Sequence, residues 1–253
     1  MPAGRSLPIR GGGHSTGNDQ GPEEFVRPPS QSRTPKPSDG AVRRSNGSGK
    51  EPVLAALDLG TNNCRLLIAV PSGTGFRVID AFSRIVRLGQ GLQKHKKLSE
   101  DAMERTLQAL KICARKMVKR NVTLSRVVAT EACRQARNCD DFLDRVAAET
   151  DLDIEIISTR EEAELALAGC VPLFDPEIPN ALVFDIGGGS TELVWHRRHE
   201  RETSRNGRGA LDAISLPFGV VTLAERHGGD RFDRATYRRM VDESRSALDA
   251  FEA

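Results

Sequence analysis

One pattern in this chain is written twice, and it constrains the fold more than anything else. Residues 54–63 read LAALDLGTNN, and residues 181–191 read ALVFDIGGGST. In each, an apolar run leads into an aspartate (Asp58 or Asp185), then an apolar residue, a glycine and further small or polar residues before an apolar run returns. Two copies set 127 residues apart predict a duplicated strand–turn–strand unit in an α/β protein, not a short-period repeat array. A tight glycine turn lets backbone N–H groups converge on an anion without side-chain interference. The aspartate at the strand end does not itself bind phosphate. It can hold Mg²⁺ or position water beside the phosphate, because Mg²⁺ takes one or two carboxylates together with waters and phosphate oxygens. Two such hairpins facing each other would clamp a phosphate chain from both sides. The plain alternative is a pair of hairpins with polar turns, and the matching Asp-x-Gly argues against it. The triple glycine is no dinucleotide fingerprint, since no helix-opening G-x-G-x-x-G follows the strand.

Between and around the copies, periodicity predicts the remaining elements. Val53–Leu57 and Arg65–Val70 read as a hairpin turning at Gly60–Asn63, with a third strand over Phe76–Arg87. Leu98–Arg120 reads as a helix capped by Ser99, with Met103, Leu107, Leu110, Met117 and Val118 at helical spacing. A strand over Arg126–Thr130, a helix over Asp140–Thr150 and a strand over Ile154–Ser158 follow. Thr159–Cys170 reads as a helix with Glu161, Glu162 and Glu164 near its start, where the macrodipole favours carboxylates. Such acids either decorate the helix end or supply a base, since a carboxylate beside another has its pKa raised. After a connector at Pro172–Pro179 come the second hairpin (Leu182–Ile186, Glu192–His196), a charged loop at His199–Gly209 and a helix over Ala235–Phe251.

A chain of 253 residues holds one large or two small domains. Residues 1–50 contain nine of its 23 glycines and seven of its 13 prolines, the composition of a disordered tail. Near its end SNGSGKE suggests a phosphate loop, but Arg44 stands where the first glycine is required and Glu51 replaces the Ser/Thr. The tail carries eight basic and four acidic residues, leaving 29 basic and 31 acidic in the other 203. The basic balance belongs to the tail, so no general nucleic-acid surface is expected on the body. Cys64, Cys113, Cys133, Cys139 and Cys170 are odd in number and form no C-x-x-C pair, so they read as reduced, apolar fillers. His196–His199 (HRRH) is a poor metal candidate, beginning on a strand and running into a charged loop. Without a signal peptide or an apolar run of ~20 residues, a soluble, cytoplasmic protein with no membrane partner is expected.

The paired DLGTNN and DIGGGSTE motifs resemble the phosphate loops of the actin, sugar-kinase and chaperone-ATPase superfamily. More narrowly, ATEACRQARN (Ala129–Asn138), IEIISTREEAELALAG (Ile154–Gly169), DIGGGSTELV (Asp185–Val194) and SLPFGVVTLAERH (Ser215–His227) resemble the exopolyphosphatase/guanosine pentaphosphatase (Ppx/GppA) family. The resemblance covers about residues 53–253. It implies a duplicated ribonuclease H-like (actin-like ATPase) fold, with mixed five-stranded sheets flanked by helices. One domain would span 53–172 and a second, incomplete one 178–253, since family members continue further. It also implies a phosphohydrolase that releases terminal phosphate from inorganic polyphosphate or guanosine pentaphosphate, with Mg²⁺ (or Mn²⁺) as cofactor. With the sequence stopping at Ala253, either the gene product is truncated or a short variant closes its cleft by pairing with another chain, and a homodimer is the expected assembly. In that family a glutamate of the EEA helix activates the attacking water, and the motif places it at Glu162. The family's phosphate-binding arginine falls on Arg134. The phosphate cradle matches Gly60, Thr61, Asn62 and Asn63 in the first loop and Gly187, Gly188, Gly189, Ser190 and Thr191 in the second. The metal acids match Asp58, Asp185 and Glu192. The first loop departs from the commoner DLGSNS at Thr61, which keeps the hydroxyl, and at Asn63, which keeps a donor but changes its reach. Two rivals remain: a truncated member that binds (p)ppGpp or phosphate without turnover, and an ATP-dependent kinase or ATPase of the superfamily. The EEA motif argues against the latter.

Overall fold

The computed structural model describes residues 51–175, 177–197, 212–229 and 232–252. The tail and the loop expected at His199–Gly209 lie outside them. The first hairpin forms where alternation and the glycine turn put it: β1 (Leu54–Leu59) pairs antiparallel with β2 (Asn63–Ser72), setting Asp58 directly opposite Arg65. β2 continues into β3 (Gly75–Ile85), with a register shift at Ile68/Ala69. A short helix, α1 (Leu92–His95), precedes α2 (Glu100–Lys119), whose cap is the expected one: Ser99 Oγ accepts from Ala102 N at 3.3 Å. α2 is the crossover that a parallel pairing demands, and β4 (Leu124–Ala129) joins the free edge of β1 in parallel. α3 (Glu131–Gln135) and α4 (Cys139–Thr150) lead to β5 (Glu155–Ile156), completing the order β3-β2-β1-β4-β5.

β5 is shorter than expected, only Glu155–Ile156. Ile154 and Ile157 are buried while the two residues between them are exposed, so the segment packs more than it pairs. The short helices α1, α3 and α6 (Val220–Arg226) were also unannounced, because barely two turns carry no readable periodicity. In the second sheet β6 (Asn180–Ile186), β7 (Thr191–Arg197) and β8 (Asp212–Leu216) run antiparallel in that order, three strands among the described residues. Asp185 lies opposite Glu192. The last element is α7 (Arg234–Glu252).

The main core joins Leu57, Leu59 and Ile68 of the first sheet to Leu107 and Leu110 of α2 and Phe142 of α4, and takes in Cys64, Cys113, Cys133 and Cys139 as small fillers. α5 (Thr159–Cys170) behaves differently. It starts from the β5 edge of the first sheet, capped by Ser158, yet buries Ala163 and Leu167 against Val183 and Val194 of the second. Its first turn therefore stands where the two sheets meet. No described helix is long and apolar enough to cross a membrane.

Candidate active site

Both glycine turns and the first turn of α5 open onto one cleft of about 140 Å³. Asp58, Gly60, Thr61, Asn62 and Asn63 come to it from the first hairpin, Asp185 and Gly187–Ser190 from the second, and Glu162 from α5. The hairpins do not face each other across a gap, as the sequence suggests; they touch. A Cβ added at Gly188 would lie 3.0 Å from Asn62 Cβ, and one at Gly189 only 2.5 Å from Thr61 Oγ1. None of Gly187, Gly188 and Gly189 has a positive φ, so the reason for glycine is this close approach and not a left-handed turn.

What holds the second loop is α6. Val220 N donates to Gly187 O (3.0 Å), Val221 N and Thr222 N to Gly188 O (3.0 and 3.2 Å), and Thr222 Oγ1 to Gly189 O (3.2 Å). The carbonyls of the loop thus satisfy the orphan donors of a helix start. A trans peptide holds its N–H antiparallel to its C=O, so the N–H groups of Gly188, Gly189 and Ser190 face away from α6. Those of Gly188 and Gly189 donate to no acceptor among the described residues, as a phosphate cradle requires. The first loop is anchored from its own side: Val86 N and Arg87 N donate to Asn62 O, and Gly89 N donates to Thr61 O. Thr61 Oγ1 is buried and has no hydrogen-bond partner among the described residues. An orphaned buried hydroxyl costs ~1–3 kcal/mol, and here it lines the cleft.

Glu162 and Glu161, adjacent in sequence, have different surroundings. Glu161 turns outward to Arg126 (2.5 Å), which also holds Glu155. Glu162 Oε2 accepts from Arg134 Nη2 at 2.8 Å, while Oε1 takes no hydrogen bond among the described residues. Burial pushes Glu162 up to about 7 against the pull of Arg134, and the charges of Glu192 and Asp58 add to the rise. Asp58 is also raised, by burial first and by Asp185 less, with Arg65 opposing. Glu192 is raised chiefly by burial, despite the hydroxyl of Ser215 on Oε1 at 2.8 Å.

Three expected site residues do not line the cleft. Thr191 spends its hydroxyl on Phe218 O (2.9 Å), because its strand turns it toward the α6 entry. Glu192, 1% exposed, lies in the interior opposite Asp185. Arg134 stands behind Glu162 and Glu131. Conversely, Arg65, Glu131, Thr130 and Val220 line the cleft without having been singled out. Arg65 was findable, since the hairpin register sets it opposite Asp58. Glu131 lies inside the ATEACRQARN motif, three residues before Arg134, the spacing of helical neighbours.

The acids fit a divalent cation. Among the described residues no three or more His, Cys, Asp or Glu form a ready-made metal cage. Mg²⁺ needs none, and Asp58 and Asp185, close enough to raise Asp58, share a polar cleft with an unpartnered hydroxyl. The facing pair Asp185 and Glu192 is a like-charged cross-strand pair, costly without a counter-ion or a proton.

Known proteins are similar to this chain in sequence and in fold. A bifunctional 3-dehydroquinate synthase/phosphatase of Fusobacterium nucleatum is 37% identical over 180 residues, 68% of this chain and 26% of that protein. Among solved structures, an exopolyphosphatase-like protein superposes with a TM-score of 0.70 at 29% identity, covering 79% of this chain and 61% of that one. The Aquifex aeolicus PPX-GPPA enzyme gives 0.62 at 31%, covering 79% and 64%. The chain therefore spans less than two thirds of the length of these relatives. The family model itself matches residues 67–251, taking in the second loop, α3 and α5 but beginning after the first loop, and by that match the chain belongs to the Ppx/GppA phosphatase family.

Proposed function

We propose that this chain is a phosphohydrolase that releases the terminal phosphate of inorganic polyphosphate or guanosine pentaphosphate. The observation that carries the reading is Glu162: a partly buried carboxylate raised to about 7, with one oxygen tied to Arg134 and the other untied among the described residues, on the same cleft as both glycine loops. A base is most useful with a pKa near the working pH. Glu162 Oε1 takes a proton from water as the water oxygen attacks the terminal phosphorus. The bond from that phosphorus to the bridging oxygen breaks, and the shortened chain leaves with the bond's electrons. The N–H groups of Gly188 and Gly189, with the Arg65 guanidinium, meet the phosphoryl oxygens and offset the charge that develops on them. Asp58 and Asp185 are the groups that would hold Mg²⁺, which when bound neutralises phosphate charge. Family membership and the activities that the relatives are named for support the reading.

One assay tests it: phosphate release from polyphosphate, guanosine pentaphosphate and ATP side by side, with Mg²⁺, Mn²⁺ or EDTA. Release from either of the first two, lost in EDTA and restored by either ion, is expected. Turnover of ATP alone would favour the kinase or ATPase rival, and binding of all three without release would leave a phosphate sensor.

A further inference from the structure

Every nitrogen of the Arg134 guanidinium already has a protein partner. Its Nε and Nη2 meet Glu131 Oε2 at 3.0 and 2.9 Å, Nη2 also meets Glu162 Oε2 at 2.8 Å, and Nη1 donates to Ile157 O at 2.8 Å. The hydrogen bonds among these contacts take one N–H from each of the three guanidinium nitrogens, and Nη2 is also ion-paired to Glu131. Glu131 is held in turn: Gln135 Nε2 donates to its other oxygen, and its stem lies so near the second loop that a Cβ at Gly189 would come within 2.9 Å of its Cγ. Both side chains are mostly buried, and Glu131 and Glu162 line the cleft while Arg134 does not.

We propose that Glu131 and Arg134 are a positioning pair for Glu162, and that Arg134 does not grip the phosphate. Glu131, wedged against the glycine loop, fixes the guanidinium side-on. The guanidinium fixes Glu162 Oε2, which leaves Oε1 aimed at the water. The pair thereby registers the base against the loop that seats the phosphate. Two contacts from one carboxylate oxygen to a planar, always-charged group give a stiffer mount than a single hydrogen bond. A misplacement of ~1 Å in such an arrangement costs on the order of 10²-fold in rate. The proposal rests on the hydrolytic reading above.

The test is a double-mutant cycle with a binding arm. Arg134→Gln, Glu162→Gln, the double variant, Glu131→Gln and Arg65→Ala are assayed for phosphate release and titrated calorimetrically with tripolyphosphate. Arg134→Gln is expected to lower kcat about 10²-fold with KM and tripolyphosphate affinity nearly unchanged. On top of Glu162→Gln it should cost nothing more, because residues acting as one unit are non-additive. Glu131→Gln, which keeps the shape and removes a charge, should lower kcat in the same direction and carries the test if Arg134→Gln does not fold. Arg65→Ala should weaken tripolyphosphate. An affinity loss of about tenfold in Arg134→Gln, or its full factor again in the double variant, would make Arg134 a phosphate ligand and overturn the proposal. A parent chain that releases no phosphate would defeat the hydrolytic reading. The calorimetric arm still decides on Arg134, since retained affinity there beside a weakened Arg65→Ala supports its role behind the carboxylates.

Discussion

At the scale of single residues, the environment separates two glutamates that the sequence sets side by side. Glu161 is spent on the surface arginine Arg126, whereas Glu162 is partly buried, raised and half untied. Glu162→Gln should therefore reduce turnover by about 10²–10⁴-fold with substrate affinity little changed. Glu161→Gln should stay close to the parent, because an exposed ion pair is worth ~0–1 kcal/mol. The reverse result in steady-state kinetics would assign the base to the wrong residue. The direction of the shift also gives a pH profile. A base works deprotonated, so with Glu162 at about 7 the rate should rise about tenfold per pH unit below 7 and level off above it. A limb near the ordinary glutamate value would mean that Glu162 is not the titrating base.

Among the elements, the second glycine loop and α6 form one mechanical part. Gly219 caps α6, and a Cβ there would stand 2.3 Å from Gly187 O and 2.6 Å from Gly188 C, backbone atoms that cannot swing aside. Gly219→Ala should lower the melting temperature, with a cost of about 1–3 kcal/mol, and should displace the loop enough to depress kcat/KM. An unchanged melt and unchanged kinetics would mean the loop does not depend on α6. The sequence shows why this part was missed while others were legible. The β1–β2 and β6–β7 hairpins announce themselves by apolar runs around a glycine turn, and α2 by its 3.6-residue period and Ser99 cap. Gly219 and Thr222 act on a loop some thirty residues away, through contacts that no local pattern encodes. The same holds for the touching loops, which a reading of two separate motifs pictures as a gap. It holds for the shortness of β5, decided by what Ile154 and Ile157 pack against. Within the cleft, motif positions brought Asp58, Asp185, Glu162 and the glycines together. Whether Arg134 faced phosphate or carboxylate depended on tertiary neighbours.

Across the whole molecule, most of the buried apolar surface sits in one cluster, while the second sheet is held by two small ones, one under α5 and one under α6 and α7. Phe142, 1% exposed, is the largest fully buried side chain of the main cluster. Phe142→Ala should cost about 3–5 kcal/mol and, at ~2–4 °C per kcal/mol for a chain of this size, lower the melting temperature by roughly 10 °C. Calorimetry checks this, and a shift of a degree or two would mean that the main core does not govern unfolding. Charge has its own consequence at this scale: Asp58, Glu131, Glu162 and Asp185 outnumber Arg65 on the cleft wall. A polyanion entering without a cation meets net repulsion.

The hydrogen bonds from Val220, Val221 and Thr222 to the glycine carbonyls make those three amides a built-in gauge. Each shares its acceptor with a peptide whose other end faces the cleft, so an anion polarising the loop N–H groups would be felt on the far side of the same peptide planes. Their NMR resonances and exchange rates would then report occupancy of the cradle from behind, with no label placed in it and no residue of the cleft altered.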